Sequence, residues 1–174
     1  MSRIGFTLLL AGALLSLTAQ EKKKRAPASP PAETSVTVAG KAVAIKYSAP
    51  SMKGRKIFGG LEGYGRVWRA GANSATALHT DADLEIGGLK VPAGDYTLYA
   101  LLDEKQWQLI VNKQTGQWGT EYNEAQDLGR VKMTMSKPAA PVETFKITLA
   151  ATGNKGTLQL EWENSVATVP FSAK

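Results

Sequence analysis

The chain has 174 residues, no cysteine, 21 basic against 15 acidic residues and a formal net charge of +6. That length gives room for one ordinary domain, and a domain of about 150 residues buries about 70% of its unfolded surface, enough to stand without disulfides. The lack of cysteine excludes thiol nucleophiles, iron–sulfur clusters, cysteine-bearing zinc sites and lipid attachment through a lipobox cysteine.

The first 20 residues, MSRIGFTLLLAGALLSLTAQ, set Arg3 ahead of a 12-residue apolar run from Phe6 to Leu17. The run is shorter than the roughly 20 residues that span a bilayer. With small residues near Ala19 it reads as a cleaved signal peptide over 1–20. A secreted or periplasmic protein is expected, with no transmembrane segment once the signal is removed. Residues 21–34, EKKKRAPASPPAET, hold Lys22 to Arg25 among Pro, Ala and Ser and show no apolar periodicity. This composition predicts a disordered basic linker. Residues 35–174 carry 16 basic and 13 acidic side chains, so +3 of the +5 left after signal removal is outside the linker. No helix with a basic stripe follows, and no nucleic-acid partner is expected.

From Ser35 the pattern is alternation with period two, broken by turn residues. Val43, Ile45 and Tyr47 share one face. Leu78, Thr80, Leu84 and Ile86 form another dry face. Turns are expected at Gly87–Gly88 and at Pro92–Gly94, and the strand from Asp95 to Leu102 is apolar on both faces, which predicts a central position. Trp107, Leu109 and Val111 point one way. Residues 120–129, TEYNEAQDLG, are long enough for one or two helical turns. Val131, Met133 and Met135 alternate with polar neighbours, as do Phe145, Ile147 and Leu149, then Leu158, Leu160 and Trp162, then Ala167, Val169 and Phe171. Pro170 cannot donate to a ladder, which predicts an edge for the last strand. About eight short strands with close turns predict a single all-β domain over 35–174, an antiparallel β-sandwich or jelly-roll-like fold.

Few residues carry obvious chemistry. His79 is the single histidine, and His79, Asp81, Asp83 and Glu85 fall at alternate positions. Along one strand they would form a row of oxygen and nitrogen ligands, but same-face neighbours stand nearly 7 Å apart. The plainer reading is the wet face of a strand, and no metal site is expected. A Gly-x-Ser-x-Gly elbow, a Walker loop, a His-Glu-x-x-His pair and a dinucleotide fingerprint are all missing from the sequence, so no catalytic residue and no cofactor is assigned. FGGLEGYG, residues 58–65, is glycine-rich without a following helix and reads as a flexible surface loop.

Two clusters remain. In RVWRAGANSAT, Gly71 and Asn73 tolerate positive φ, so the chain can turn sharply there. Either Trp68 packs in the core and the polar residues tie the loop to itself, or Arg69, Asn73 and Thr76 line a pocket floored by an aromatic ring. In QWGTEY, Trp118, Glu121 and Tyr122 lie in an expected loop, and exposed aromatics there would suit a saccharide. The ligand-binding candidates are therefore Arg69, Asn73, Thr76, Trp118, Glu121 and Tyr122, with a small anionic or saccharide ligand as the implied partner. A non-catalytic binding or envelope-associated module is the leading expectation. The alternatives are a hydrolase or isomerase using a loop carboxylate such as Glu121 with Arg69 as anion anchor, and a purely structural cluster.

The order P-x-x-x-G-R (residues 50–55), V-W-R-x-G-A-N (67–73), P-A-G-x-Y (92–96), Q-W-G (117–119) and E-x-F (143–145) resembles the bacterial family filed as domain of unknown function 2911. The resemblance covers about residues 42–172. Members of that family look like exported bacterial proteins, and the resemblance implies no activity, substrate or cofactor. It places Arg55, Trp68, Arg69, Gly71, Asn73, Thr76, Gly94, Trp107, Trp118, Gly119 and Tyr122 at motif positions. His79 stands where the pattern does not call for histidine.

Overall fold

A computed structural model describes residues 28–174. The expected signal peptide and the basic run of the linker lie outside the described residues. Thirteen strands follow: β1 (Pro31–Val38), β2 (Lys41–Ser48), β3 (Val67–Trp68), β4 (Thr76–Thr80), β5 (Leu84–Ile86), β6 (Leu89–Val91), β7 (Gly94–Leu101), β8 (Gln108–Asn112), β9 (Asp127–Lys132), β10 (Thr134–Ser136), β11 (Val142–Thr152), β12 (Lys155–Glu163) and β13 (Ser165–Ala173). They form two antiparallel sheets, an all-β sandwich. One has the order β1-β2-β4-β7-β8-β9 with β3 added to β7. The other runs β11-β12-β13-β5-β6 with β10 added to β13.

The alternation read from the sequence becomes the core. Val43, Ile45, Leu78, Leu98, Leu109 and Val111 of the first sheet meet Phe145, Ile147, Leu149, Leu158, Leu160, Val169 and Phe171 of the second. One end of this interior is filled by rings. Phe58, Trp68, Trp107, Phe145 and Trp162 each meet at least two others of the set at centroid distances of 4.5 to 6.1 Å, mostly edge to face, with Trp68 and Trp162 stacked at 5.8 Å. Edge-to-face contacts place a ring's positive rim on its neighbour's negative face, adding to the area that the rings bury.

Several sequence expectations are corrected. Strand β1 starts at Pro31, so residues 31–34 pair with β2 and are not linker. Proline opens the strand, where its missing N–H costs no ladder bond. Strand β13 is not an edge: β12 pairs along one side of it, and β10 and then β5 along the other. The Pro170 carbonyl accepts from Gly87 N, so its donor-less nitrogen faces that same side, at the gap where β10 gives way to β5. The Val131–Met135 run is two strands, not one. Buried Met133 carries the chain from the first sheet to the second between β9 and β10. Of the helix considered over 120–129, one 3-10 turn forms at Glu124–Gln126, capped by the Asn123 side chain accepting from Ala125 N, and the rest enters β9.

Strand β7 is central and covered on both faces, as its composition predicts. Tyr96, Leu98 and Ala100 face the sandwich interior. Thr97 and Tyr99 face outward yet are equally buried. The covering layer is the segment between β8 and β9. Gln117 donates to the Thr97 and Tyr99 hydroxyls at 3.3 and 3.0 Å, the Thr97 hydroxyl donates to Gln114 O at 2.7 Å, and Tyr99 donates to Glu121 O at 3.2 Å. Tyr122 lays its ring edge-to-face on Tyr99 at 4.9 Å. A short polar lid therefore rests on the outside of an otherwise greasy sheet.

Candidate functional site

Strand register decides where the RVWRAGANS cluster goes. Trp68 pairs with Ala100 of β7 and enters the aromatic core; Arg69, one residue on, falls on the outer face beside Tyr99. Strands β3 and β4 pair with successive stretches of the same β7 edge, Leu101–Ala100 and then Leu98–Gly94. Residues 69–75 are the excursion between them. Ala70, Gly71 and Asn73 take positive φ of 47°, 156° and 60°. The Thr76 hydroxyl, fully buried, donates to Ala70 O at 2.8 Å and closes the excursion from inside. A side chain at position 71 would press on Ser48 O at 3.0 Å and the Thr76 hydroxyl at 3.1 Å, which accounts for the glycine.

This loop then docks the lid. Gly119 N donates to Asn73 O at 3.0 Å, Ala75 N donates to Gln117 O at 3.2 Å, and Ser74 bridges Trp118, so 117–119 runs antiparallel to 73–75. Gly119 sits against the stem of Arg69: a Cβ there would lie 2.3 Å from Arg69 Cδ and 2.7 Å from Asn73 O. Only glycine lets the guanidinium stem lie flat along the lid.

Between loop and lid is an open hollow of about 190 Å³, lined by Glu62, Val67, Trp68, Arg69, Tyr99, Gly119, Thr120 and Tyr122. It is smaller than the ~300–1,000 Å³ of ordinary small-molecule pockets. Arg69 is part-buried and forms no ion pair or side-chain hydrogen bond among the described residues. Glu62 faces the same space. Burial pushes its carboxyl above the ordinary range, and the Arg69 charge partly opposes that shift. Tyr122 is anchored from behind. Its hydroxyl donates to Asp127 Oδ2 at 2.6 Å and accepts from Arg130 Nη2 at 2.8 Å. Arg130 also binds Glu124 at 2.6 Å and Asp127 Oδ2 at 3.0 Å, while Asn112 donates to Asp127 Oδ1 at 2.8 Å. Burial, then the Asp127 hydrogen bond, pushes the Tyr122 phenol up to about 12, so it stays protonated at neutral pH.

The sequence candidates therefore separate. Arg69 and Tyr122 line the hollow. Trp118 stands beside it with half of its surface exposed. Glu121 is exposed, and its backbone carbonyl, not its carboxylate, is what the fold uses. Asn73 supports the lid through its backbone, and its side-chain amide reaches only Ser29 O at 3.5 Å. Thr76 is sealed in the loop. The carboxylate that does meet Arg69 is Glu62, from the glycine-rich stretch read as a flexible surface loop. That loop is anchored. Ile57 and Phe58 are buried, and their amides donate to the Glu163 carboxylate at 3.2 and 3.0 Å. The sequence signal for this was the Ile-Phe pair ahead of the glycines.

The row His79, Asp81, Asp83, Glu85 does not survive as a row. β4 ends at Thr80 in one sheet and β5 begins at Leu84 in the other. His79 lies between Asp95 and Asp81 at 2.8 and 3.2 Å. Asp83 accepts from Ala93 N, and Glu85 pairs with Lys174.

The family model described as "Protein of unknown function (DUF2911)" matches residues 29–171. The chain belongs to this family. Neither a curated protein nor a solved structure gives a significant match. Of the residues that the resemblance set at motif positions, Trp68 and Trp107 are packed in the aromatic core, Gly71 and Thr76 close the 69–75 excursion, and Arg69, Gly119 and Tyr122 line the hollow. Arg55 donates to Met52 O and Ser51 O and stiffens its own turn.

Proposed function

We propose that this family member is a non-catalytic binding module whose ligand is a neutral saccharide ring held at the Arg69 hollow. The observation that carries the reading is the pair of opposed, mutually unbonded charges, Glu62 and Arg69, on one small open hollow. Opposed charges leave little net field for a small anion. They do offer acceptors and donors on two sides, which is what vicinal hydroxyls need. The Thr120 and Tyr122 side chains and the exposed Trp118 face nearby suit the rest of a sugar. With an N-terminal stretch that reads as a signal peptide, the module would act outside the cytoplasm, in the periplasm or beyond the envelope. No helix among the described residues is long and apolar enough to cross a membrane.

The test is titration calorimetry and thermal shift with neutral monosaccharides, uronates and small carboxylates. Neutral sugars are expected to bind the native chain and to lose binding in Arg69→Ala and Glu62→Gln. Preference for carboxylates, retained or improved in Glu62→Gln, would return the site to an anion. Mass spectrometry of exported protein, finding residues 1–19 still attached, would overturn the cleavage, and recovery of the protein in the cytoplasmic fraction alone would sink the placement.

Acid–base turnover is the second reading, and the burial-raised carboxyl of Glu62 favours it. Glycoside hydrolysis ordinarily takes two carboxyl groups. Glu62 is the one carboxylate among the described residues lining the hollow, so binding is the preferred reading.

A further inference from the structure

The outer face of the first sheet carries a second hollow, about 340 Å³, that no residue of the Arg69 site lines. It lies over the cross-strand row Lys46–Ala77–Thr97, set by the β2–β4 and β4–β7 registers. Its far wall is Ser74 and Gln117. Thr97 of this hollow and Tyr99 of the first are alternate residues of β7. They project from the same face about 7 Å apart along the strand. The segment 117–119 crosses between the two hollows. Gln117 lines one and Gly119 the other, and Trp118, the residue that joins them in the chain, has half of its surface in solvent. Gln117 gives its amide hydrogens to Thr97 and Tyr99. Its Oε1 is buried, with no donor among the described residues. An unsatisfied buried acceptor costs free energy until something supplies a donor.

We infer that the two hollows are neighbouring subsites of one cleft for an extended saccharide chain, with Trp118 as the stacking platform between them. The inference rests on the saccharide reading of the Arg69 hollow and names its ligand class: an oligosaccharide, not a single ring. A ring at Arg69 and Glu62 orients the chain. The next rings cross Trp118, and a following ring sits on Ala77 against Lys46 and Gln117. The second hollow has a cation and an amide but no carboxylate among its described lining residues, so it also accepts a ring bearing an acidic substituent.

The experiment is a chain-length series of cello-, xylo-, manno- and chito-oligosaccharides of one to four rings, measured by calorimetry on the full folded domain. Affinity is expected to rise about tenfold or more between one ring and three or four, as the second contact becomes intramolecular. Ala77→Phe, which fills the second hollow from an exposed strand position, should abolish that rise and keep single-ring binding. Trp118→Ala, at a ring that the single-ring site also uses, should weaken binding at every length and flatten the rise. Circular dichroism and melting of each variant check folding. The Gln117 side-chain amide resonances should shift with the longer ligands alone. Equal affinity at every length, or a length dependence untouched by Ala77→Phe, overturns the cleft and leaves the single-ring site standing. No binding by any saccharide, with the native fold intact, removes both.

Discussion

Trp68 and Arg69 are adjacent residues on opposite faces of the first sheet, and the two sides obey different rules. On the Trp68 side, rings meet rings and packing dominates, with Trp162 Nε1 donating to Glu143 O at 3.2 Å as the cluster's polar tie. On the Arg69 side, position is fixed by hydrogen bonds to named atoms. Gln117 binds Thr97 and Tyr99, Tyr122 binds Asp127, and Gly119 binds Asn73. The inner face supplies stability from area and tolerates no holes. The outer side holds two part-buried charges, Glu62 and Arg69, bonded neither to each other nor to the lid, which a chain selected for stability alone has no reason to keep. The molecule separates a stiff interior from a surface whose polar groups stand ready for something else.

Substitutions on the two sides should part accordingly. Trp162→Ala opens a cavity beside the four remaining rings and should cost about 3–5 kcal/mol, read as a lowered urea midpoint at unchanged m-value. Trp118→Ala, on the lid, should stay within about 0.5 kcal/mol of the native chain, since it removes an exposed ring. If Trp118→Ala cost as much as Trp162→Ala, the lid would be core and the distinction would be lost. Gly119→Ala falls between them. Its methyl would meet the Arg69 stem and the Asn73 carbonyl at impossible distances, so the guanidinium must move. A loss of about 1–3 kcal/mol is expected, with saccharide binding lost further than stability predicts.

The glutamate opposite Arg69 gives a finer contrast. Burial raises the Glu62 carboxyl above its ordinary range. The folded chain therefore holds that proton more tightly than the unfolded chain. The resulting stabilisation is full below the unfolded value and is lost as pH climbs through the raised one. At neutral pH the charged, half-buried carboxylate works against the fold. Glu62→Gln should accordingly melt higher than the native chain at pH 7. The two should converge in acid, where Glu62 is neutral as well. A residue whose removal stabilises the fold while weakening ligand binding is placed for function. If Glu62→Gln melted lower at neutral pH, the carboxylate would be a structural partner instead.

Much of the interior was legible because alternation is a local signal. Phe145, Ile147 and Leu149 declare their face without knowledge of any partner. What escaped depends on pairing. Pro170 marks an edge only if its N–H side must be paired, and the break between β10 and β5 relieves that demand. The His79–Glu85 row assumed one strand where the chain changes sheets. At the site, Arg69 and Tyr122 were visible as unusual residues in loops. Glu62 was not, because its role comes from Glu163, about a hundred residues away, which pins Ile57 and Phe58 and so aims the glycine-rich loop. Thr76 looked like a pocket residue because a hydroxyl near an arginine suggests one. Its bond to Ala70 O is invisible until the loop is closed.

The smallest expected effect comes from the exposed end of β4, one same-face position past Ala77, at residues that line neither hollow. His79 Nδ1 lies 2.8 Å from Asp95 Oδ1, and its Nε2 lies 3.2 Å from Asp81 Oδ1. Carboxylates accept only, so satisfying both contacts requires both ring nitrogens to carry hydrogen, which is the imidazolium. The Asp95 hydrogen bond first, and the Asp81 bond second, hold the histidine above its ordinary value of 6.5. The stabilisation it lends is therefore fully present below that value and fades as pH rises through the raised one. The melting-temperature gap between the native chain and His79→Gln should be widest in mildly acid buffer and close in alkaline buffer. It should shrink with added salt, since the side chains are exposed and screened. Asp95→Asn should reproduce most of the gap and Asp81→Asn less, in the order of the two contacts. A gap that widens toward alkaline pH would mean that neutral His79 is the stabilising form and that the two carboxylates do not hold its second proton.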